Sequence, residues 1–175
     1  MEEITYPSRS CPSREHASGR SLLDPEGTRL LQQELLGCVG WITPNLSELS
    51  ALTGIGPIGP DEVSAAAIRL KEAAARLGNE ELNVVVTGGH LPRPDDFLLS
   101  SSGEEFWFPG EPIHTKATHG TGCAFSSALL CGLIGGYSPA AAVAHAKTYV
   151  AEALRSAYPI GKGRGPMNHL FRLNR

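Results

Sequence analysis

Leu82-Asn83-Val84-Val85-Val86-Thr87-Gly88-Gly89 reads as a β-branched strand that runs straight into a glycine turn. Directly before it, Asp61 to Leu77 is alanine-rich and amphipathic, and Gly78 closes it as a helix stop. Farther back, Val39 to Thr43 is a short apolar strand ended by Pro44-Asn45. Strand, helix, strand in this order predicts a right-handed crossover and a largely parallel α/β sheet. Working outward, a helix is expected from about Leu46 to Thr53, stopped by Gly54, with a loop over Gly56 to Pro60. Asp24 and Pro25 form an N-cap and first-turn pair, and Leu30, Leu31, Leu35 and Leu36 then mark a helical stripe to about residue 37. Toward the C-terminus, Phe97 to Ser100 and Glu105 to Phe108 flank a hairpin turn. Two helices, about 121–135 and 139–157, are split by Gly135-Gly136-Tyr137-Ser138-Pro139.

The chain has 175 residues, which suits one domain with a real core, expected over 18–175; the polar, turn-rich residues 1–17 are expected to be poorly ordered. A net charge of -3 gives neither a basic footprint for nucleic acid nor a polybasic membrane patch. The four cysteines, at 11, 38, 123 and 131, form no CxxC pair, which fits reduced thiols in a cytoplasmic protein. No signal peptide is visible at Met-Glu-Glu. Ala117 to Ala144 lacks Asp, Glu, Lys and Arg, but Ser126, Ser127, Gly132, Gly135, Gly136 and Pro139 interrupt it, so it reads as buried helix and not as a membrane span.

The chemistry concentrates in four loops. Thr118-His119-Gly120-Thr121-Gly122-Cys123 sets a glycine turn against the start of a helix, whose first N–H groups are unpaired and carry partial positive charge. Such a turn can cradle phosphate or simply connect to a buried helix. Cys123 falls at that helix start, where thiols become more acidic and can act as bases; its other reading is a small buried residue, the reading that also suits Cys131. Asn45 and Glu48 have capping-box spacing. Glu48 can also serve Mg2+ through water, but only if its carboxylate turns outward instead of back to the cap. Thr87, Gly88 and Gly89 follow the second strand at its carboxyl end, where ligands sit in open α/β sheets, or they merely finish a strand. His90 reads as a solvated loop histidine. Gly161-Lys162-Gly163-Arg164-Gly165 either closes over a nucleotide, with Lys162 and Gly163 near phosphate or ribose, or is a flexible basic tail.

Taken together, these segments resemble the hydroxymethylpyrimidine and phosphomethylpyrimidine kinases of thiamine biosynthesis, a ribokinase-like family. The matching stretches, in the family's order, are Ser18-Gly19-Arg20-Ser21-Leu22-Leu23-Asp24-Pro25-Glu26, Thr43 to Gly54, Val84 to Leu91, Thr118 to Cys123, and Gly161 to His169. The cysteine after Gly-Thr-Gly is itself informative, because most ribokinase-like enzymes carry aspartate there. The resemblance implies a three-layer α/β fold with a mostly parallel sheet. It also implies ATP-dependent phosphorylation of a small pyrimidine alcohol and then of its monophosphate. By that likeness the backbone of Gly120, Thr121, Gly122 and Cys123 forms the anion hole, and Cys123 is the base. Asn45 and Glu48 then belong to the magnesium-linked motif, while Thr87, Gly88, Gly89, Lys162 and Gly163 line the nucleotide.

Family members are longer, and their opening βα segments, which hold the substrate, find no counterpart here. No strand is recognisable between Ile4 and His16. A strand edge left uncovered in this way predicts self-association into a homo-oligomer. Two other readings stay open beside the kinase: a non-catalytic module that binds ATP or pairs with another subunit, and a pyridoxal-type kinase of the same cysteine-bearing branch.

Overall fold

In the computed structural model, which describes residues 9–10, 24–56, 58–89, 93–160 and 162–174, the strand–helix–strand unit is present. Strand β1 (Arg9–Ser10) is followed by helix α1 (Pro25–Gln33), strand β2 (Trp41–Ile42), helix α2 (Leu46–Thr53), helix α3 (Val63–Ala75) and strand β3 (Asn83–Val86). Strands β4 (Asp96–Leu99) and β5 (Glu105–Phe108) and helices α4 (Thr121–Ile134) and α5 (Pro139–Arg155) complete the order. The motif Ser18 to Leu23, together with His90, Leu91 and Gly161, lies outside the described residues.

Local chemistry accounts for the boundaries. Asp24 caps α1, accepting a hydrogen bond from the Gly27 N–H at 2.6 Å, with Pro25 at the first helical position. The helix ends earlier than its leucine stripe predicts, passing at Glu34 into a 3-10 turn over Leu35–Gly37. The change of pitch splits the stripe, so Leu31 and Leu36 are buried while Leu30 and Leu35 face solvent. Gly54, with φ of 68°, takes the left-handed conformation that terminates α2. Helix α3 turns Val63, Ala66, Ala67, Leu70 and Ala74 to one side, where they join Ile42, Leu49, Leu52, Val84, Val86 and Phe97 in one core.

The sheet has the order β1-β2-β3-β4-β5. The β1–β2 and β2–β3 pairings are parallel; β3–β4 and the expected hairpin β4–β5 are antiparallel, so the sheet is mixed. The segment 4–16, in which no strand was recognisable, contributes Arg9–Ser10 alongside Trp41–Ile42. Two residues are too few for an alternating pattern to show in a sequence. Strands β3 and β4 are buried throughout, whereas β5 alternates between exposed and half-buried positions as an edge strand does.

The chain divides into two units, Met1–Gly110 and Glu111–Arg175. The second unit is built on α4 and α5. Ser138 caps α5, Pro139 begins it, and the intervening Gly136 has φ of 82°. A Cβ on Gly132 would come within 3.3 Å of the Ala142 Cβ and the Tyr137 ring, so a residue with no side chain lets the two helices approach closely. Ala124, Ala153, Met167 and Phe171 form a small core, with Tyr149, Val150 and Leu154 packed on it.

Candidate active site

In the first unit, the loops leaving β2 and β3 are held side by side. The Thr87 N–H donates to the Pro44 carbonyl at 2.9 Å, and Asn45 and Thr87 form a parallel bridge just beyond the strands. This places the Asn45-Leu46-Ser47-Glu48 turn and the Thr87-Gly88-Gly89 turn together at the carboxyl ends of parallel strands, the ligand-bearing edge of an open α/β sheet.

The capping box is complete. The Glu48 N–H donates to Asn45 Oδ1 at 2.9 Å, and the Asn45 N–H donates to Glu48 Oε2 at 2.9 Å. Glu48 is buried, 5% exposed, with its carboxylate turned back to the cap. Of its two expected roles, capping is the one realised in this geometry. Among the described residues there is no group of three or more His, Cys, Asp or Glu that could cage a metal.

The adjacent glycines differ in what they do. Gly88 is buried, and its N–H donates to Asp96 Oδ1 at 2.9 Å. A Cβ there would lie 2.0 Å from the Asp95 carbonyl oxygen, so this glycine serves the close approach of two backbone segments. Gly89 is exposed, and a Cβ on it would meet none of the described residues within 4 Å. Sequence reading missed Asp96, a buried carboxylate at the start of β4. No signal short of the pairing Val86↔Phe97 sets it opposite the glycine turn.

In the second unit, Gly120 precedes α4 with φ of 84° and ψ of 10° and supplies no side-chain cap. Gly122, Cys123, Thr118 and His119 are exposed, Thr121 is half-buried, and a Cβ on Gly120 or Gly122 would meet none of the described residues within 4 Å. Among the described residues the helix mouth is therefore not packed against apolar side chains, which suits an anion at its positive end. Cys123 is exposed at this mouth while the next three residues, Ala124, Phe125 and Ser126, turn inward. Cys131, expected as a small buried residue, is also exposed. Cys123, Ser127 and Cys131 recur every four residues and so share the outward face of α4.

The glycine-rich tail is no loose end. The His119 N–H donates to the Gly165 carbonyl at 3.2 Å, and the Gly165 N–H donates to the Lys116 carbonyl at 3.1 Å. His119 and Pro166 form a parallel bridge. Lys162 and Gly163, both exposed, thus belong to a strap paired with the segment that leads into the Gly120 turn. Sequence spacing alone, with more than 40 residues between them, could not reveal that pairing.

Against known proteins, residues 14–168 match the sequence profile of the phosphomethylpyrimidine kinase family. The chain belongs to that family. It is 39% identical over 158 residues to a hydroxymethylpyrimidine/phosphomethylpyrimidine kinase of Rhizobium meliloti, covering 89% of this chain and 58% of the relative. It is 35% identical over 151 residues to the enzyme of the same description from Streptomyces coelicolor, covering 86% and 54%. Among solved structures, an ADP complex of Bacillus subtilis pyridoxal kinase superposes with a TM-score of 0.77 at 28% identity, covering 94% of this chain and 61% of that one. A phosphomethylpyrimidine kinase from Clostridium difficile does so with a TM-score of 0.64 at 29% identity, covering 82% and 55%. These matches carry the ribokinase-like α/β class expected from the motifs. The chain spans little more than half the length of these two curated relatives.

Proposed function

We propose that this chain carries the nucleotide-binding part of a kinase that phosphorylates hydroxymethylpyrimidine and then its monophosphate with ATP, in thiamine biosynthesis. The observation that supports it most is the open N-terminus of α4, where a left-handed Gly120 and an unencumbered Gly122 present backbone amides without a side-chain cap. Phosphoryl transfer asks a protein mainly for positioning and for donors aimed at the charge that develops. Gly120, Thr121, Gly122 and Cys123 supply those donors to the transferring group. Cys123 Sγ takes the proton from the substrate hydroxyl as its oxygen bonds to the γ-phosphorus and the bond to ADP breaks. The family likeness of their motifs assigns Thr87, Gly89, Lys162 and Gly163 to the nucleotide. Gly88 contributes by packing, because its N–H is committed to Asp96.

Mg2+ would be held mainly by phosphate oxygens, and the Glu48 carboxylate would reach it through water only by leaving its bond to the Asn45 N–H and turning outward. When bound it neutralises charge on the phosphates. The Glu48→Gln variant separates this role from capping, since an amide oxygen still accepts the Asn45 N–H. Its melting temperature should stay near the wild-type value, whereas Glu48→Ala loses the reciprocal bond and about 1 kcal/mol. ATP titrations with and without Mg2+ should then show a weakened magnesium dependence in Glu48→Gln. An unchanged dependence would remove Glu48 from the metal.

The decisive assay is ADP release by the purified, folded chain with hydroxymethylpyrimidine, and in parallel with pyridoxal. The likeness to pyridoxal kinases in fold keeps the second substrate in play, and preferential turnover of pyridoxal would transfer the chain to that reading. Binding of ATP without ADP release from either alcohol would make it a non-catalytic binding or subunit-pairing module. Homo-oligomerisation belongs to the same proposal, and light scattering at high concentration should give a mass above that of one chain. A cytoplasmic setting fits four cysteines with no CxxC pair and a nucleotide ligand. Among the described residues no helix is long and apolar enough to cross a membrane.

A further inference from the structure

Asn168 lies outside every loop given a chemical role above, yet it sits where the strap beneath the helix mouth is fastened. Its N–H donates to the Ala153 carbonyl at 3.0 Å, and its Nδ2 donates to the Ser156 carbonyl at 3.4 Å. Both acceptors are at the C-terminal end of α5, where carbonyls lack partners within the helix. Its Oδ1 accepts the Leu170 N–H at 3.1 Å, which closes the chain into a turn. On one side of Asn168, Gly165 pairs with Lys116 and His119. On both sides, Met167 and Phe171 pack in the core that contains Ala124, the residue directly after Cys123. A continuous set of contacts thus runs from the end of α5, through Asn168 and the strap, to both flanks of the turn that opens α4.

We propose that Asn168 is a positioning residue, which locks the strap 162–166 against the Lys116–His119 segment and so fixes the backbone of the phosphate-binding turn. It touches neither nucleotide nor substrate and acts through Gly165 and Met167. The consequence for catalysis rests on the reading of the α4 mouth as the phosphate site, whereas the latch itself does not.

The test compares wild type with Asn168→Ala as full chains, by amide hydrogen exchange and by ATP titration. Exchange at the His119 and Gly165 amides should accelerate about five- to tenfold, the scale of one lost hydrogen bond. The amide of Ala142, at the opposite end of α5, should keep its protection. ATP affinity should fall by a similar factor, and the wild-type binding curve provides the separate check on the phosphate site. If the wild type binds no ATP, the phosphate reading fails and the latch is judged by exchange alone. Unchanged exchange at His119 and Gly165 overturns the proposal, as does acceleration spread equally to Ala142. Accelerated exchange with full ATP affinity overturns the link between strap and site. Should Asn168→Ala not fold, Asn168→Asp carries the same comparison, because it keeps the acceptor for Leu170 while losing the donor to Ser156.

Discussion

Cys123→Ala is expected to reduce kcat by about 10²- to 10⁴-fold, the usual contribution of a positioned acid or base, while ATP affinity stays near the wild-type value. The separation follows from where the groups lie. The proposed anion cradle is made of main-chain N–H groups that alanine retains, and the left-handed Gly120 that shapes it is untouched. The Cys123 side chain is exposed, so truncating it opens no cavity, and stability should move by no more than about 0.5 kcal/mol. Steady-state ADP release, ATP titration and a melting curve on the same preparation decide the matter. Turnover equal to wild type would remove the base assignment and leave the backbone cradle standing. Loss of ATP binding along with turnover would mean that the side chain shapes the cradle. Cys131→Ala is the control, since that thiol is exposed on the same face two turns away.

The largest effect on stability is expected at Gly88. A methyl group there would meet the Asp95 carbonyl oxygen at 2.0 Å, its carbon at 3.0 Å and its nitrogen at 3.2 Å. All three are backbone atoms, so no side chain can swing aside. Relief requires moving the segment that leads into β4, where Asp96 accepts the Gly88 N–H and Asp95 Oδ1 accepts the Gly110 N–H at 2.8 Å. Gly88→Ala should therefore cost about 3 kcal/mol or more, at the upper end for overpacking, and lower the melting temperature by many degrees. Gly89→Ala, one residue on, meets none of the described residues within 4 Å and should stay within about 0.5 kcal/mol of wild type. Equal melting temperatures for the two variants would refute the packing role assigned to Gly88. If Gly89→Ala instead weakens ATP binding without loss of stability, the open turn is marked as a nucleotide contact.

The contrast between these neighbours shows what a sequence can and cannot carry. Two consecutive glycines after a strand signal a turn, but nothing in the order of residues says which one faces a wall and which faces space. The same holds for Glu48. Its spacing from Asn45 announces a capping box, and the box is there, but only the fold shows the carboxylate turned inward and buried. Helix boundaries were far more legible. Asp24-Pro25, Ser138-Pro139, Gly54 and Gly78 act within a few residues of themselves, and each sits at or next to the helix end it predicts. The leucine stripe of α1 misled over its last turn because a 3-10 segment rotates side chains by a different step.

By itself the sequence determined the elements, the βαβ connection and the motifs that place the chain in its kinase family, because capping, glycine stops and apolar periodicity are short-range effects. Only the tertiary structure decided that the sheet is mixed, that Gly88 is a packing residue, and that the C-terminal strap is paired to the turn before α4. Those features join residues far apart in the chain through backbone hydrogen bonds and close contacts. Such partners are chosen by the geometry of packing and leave no periodic trace in the order of amino acids.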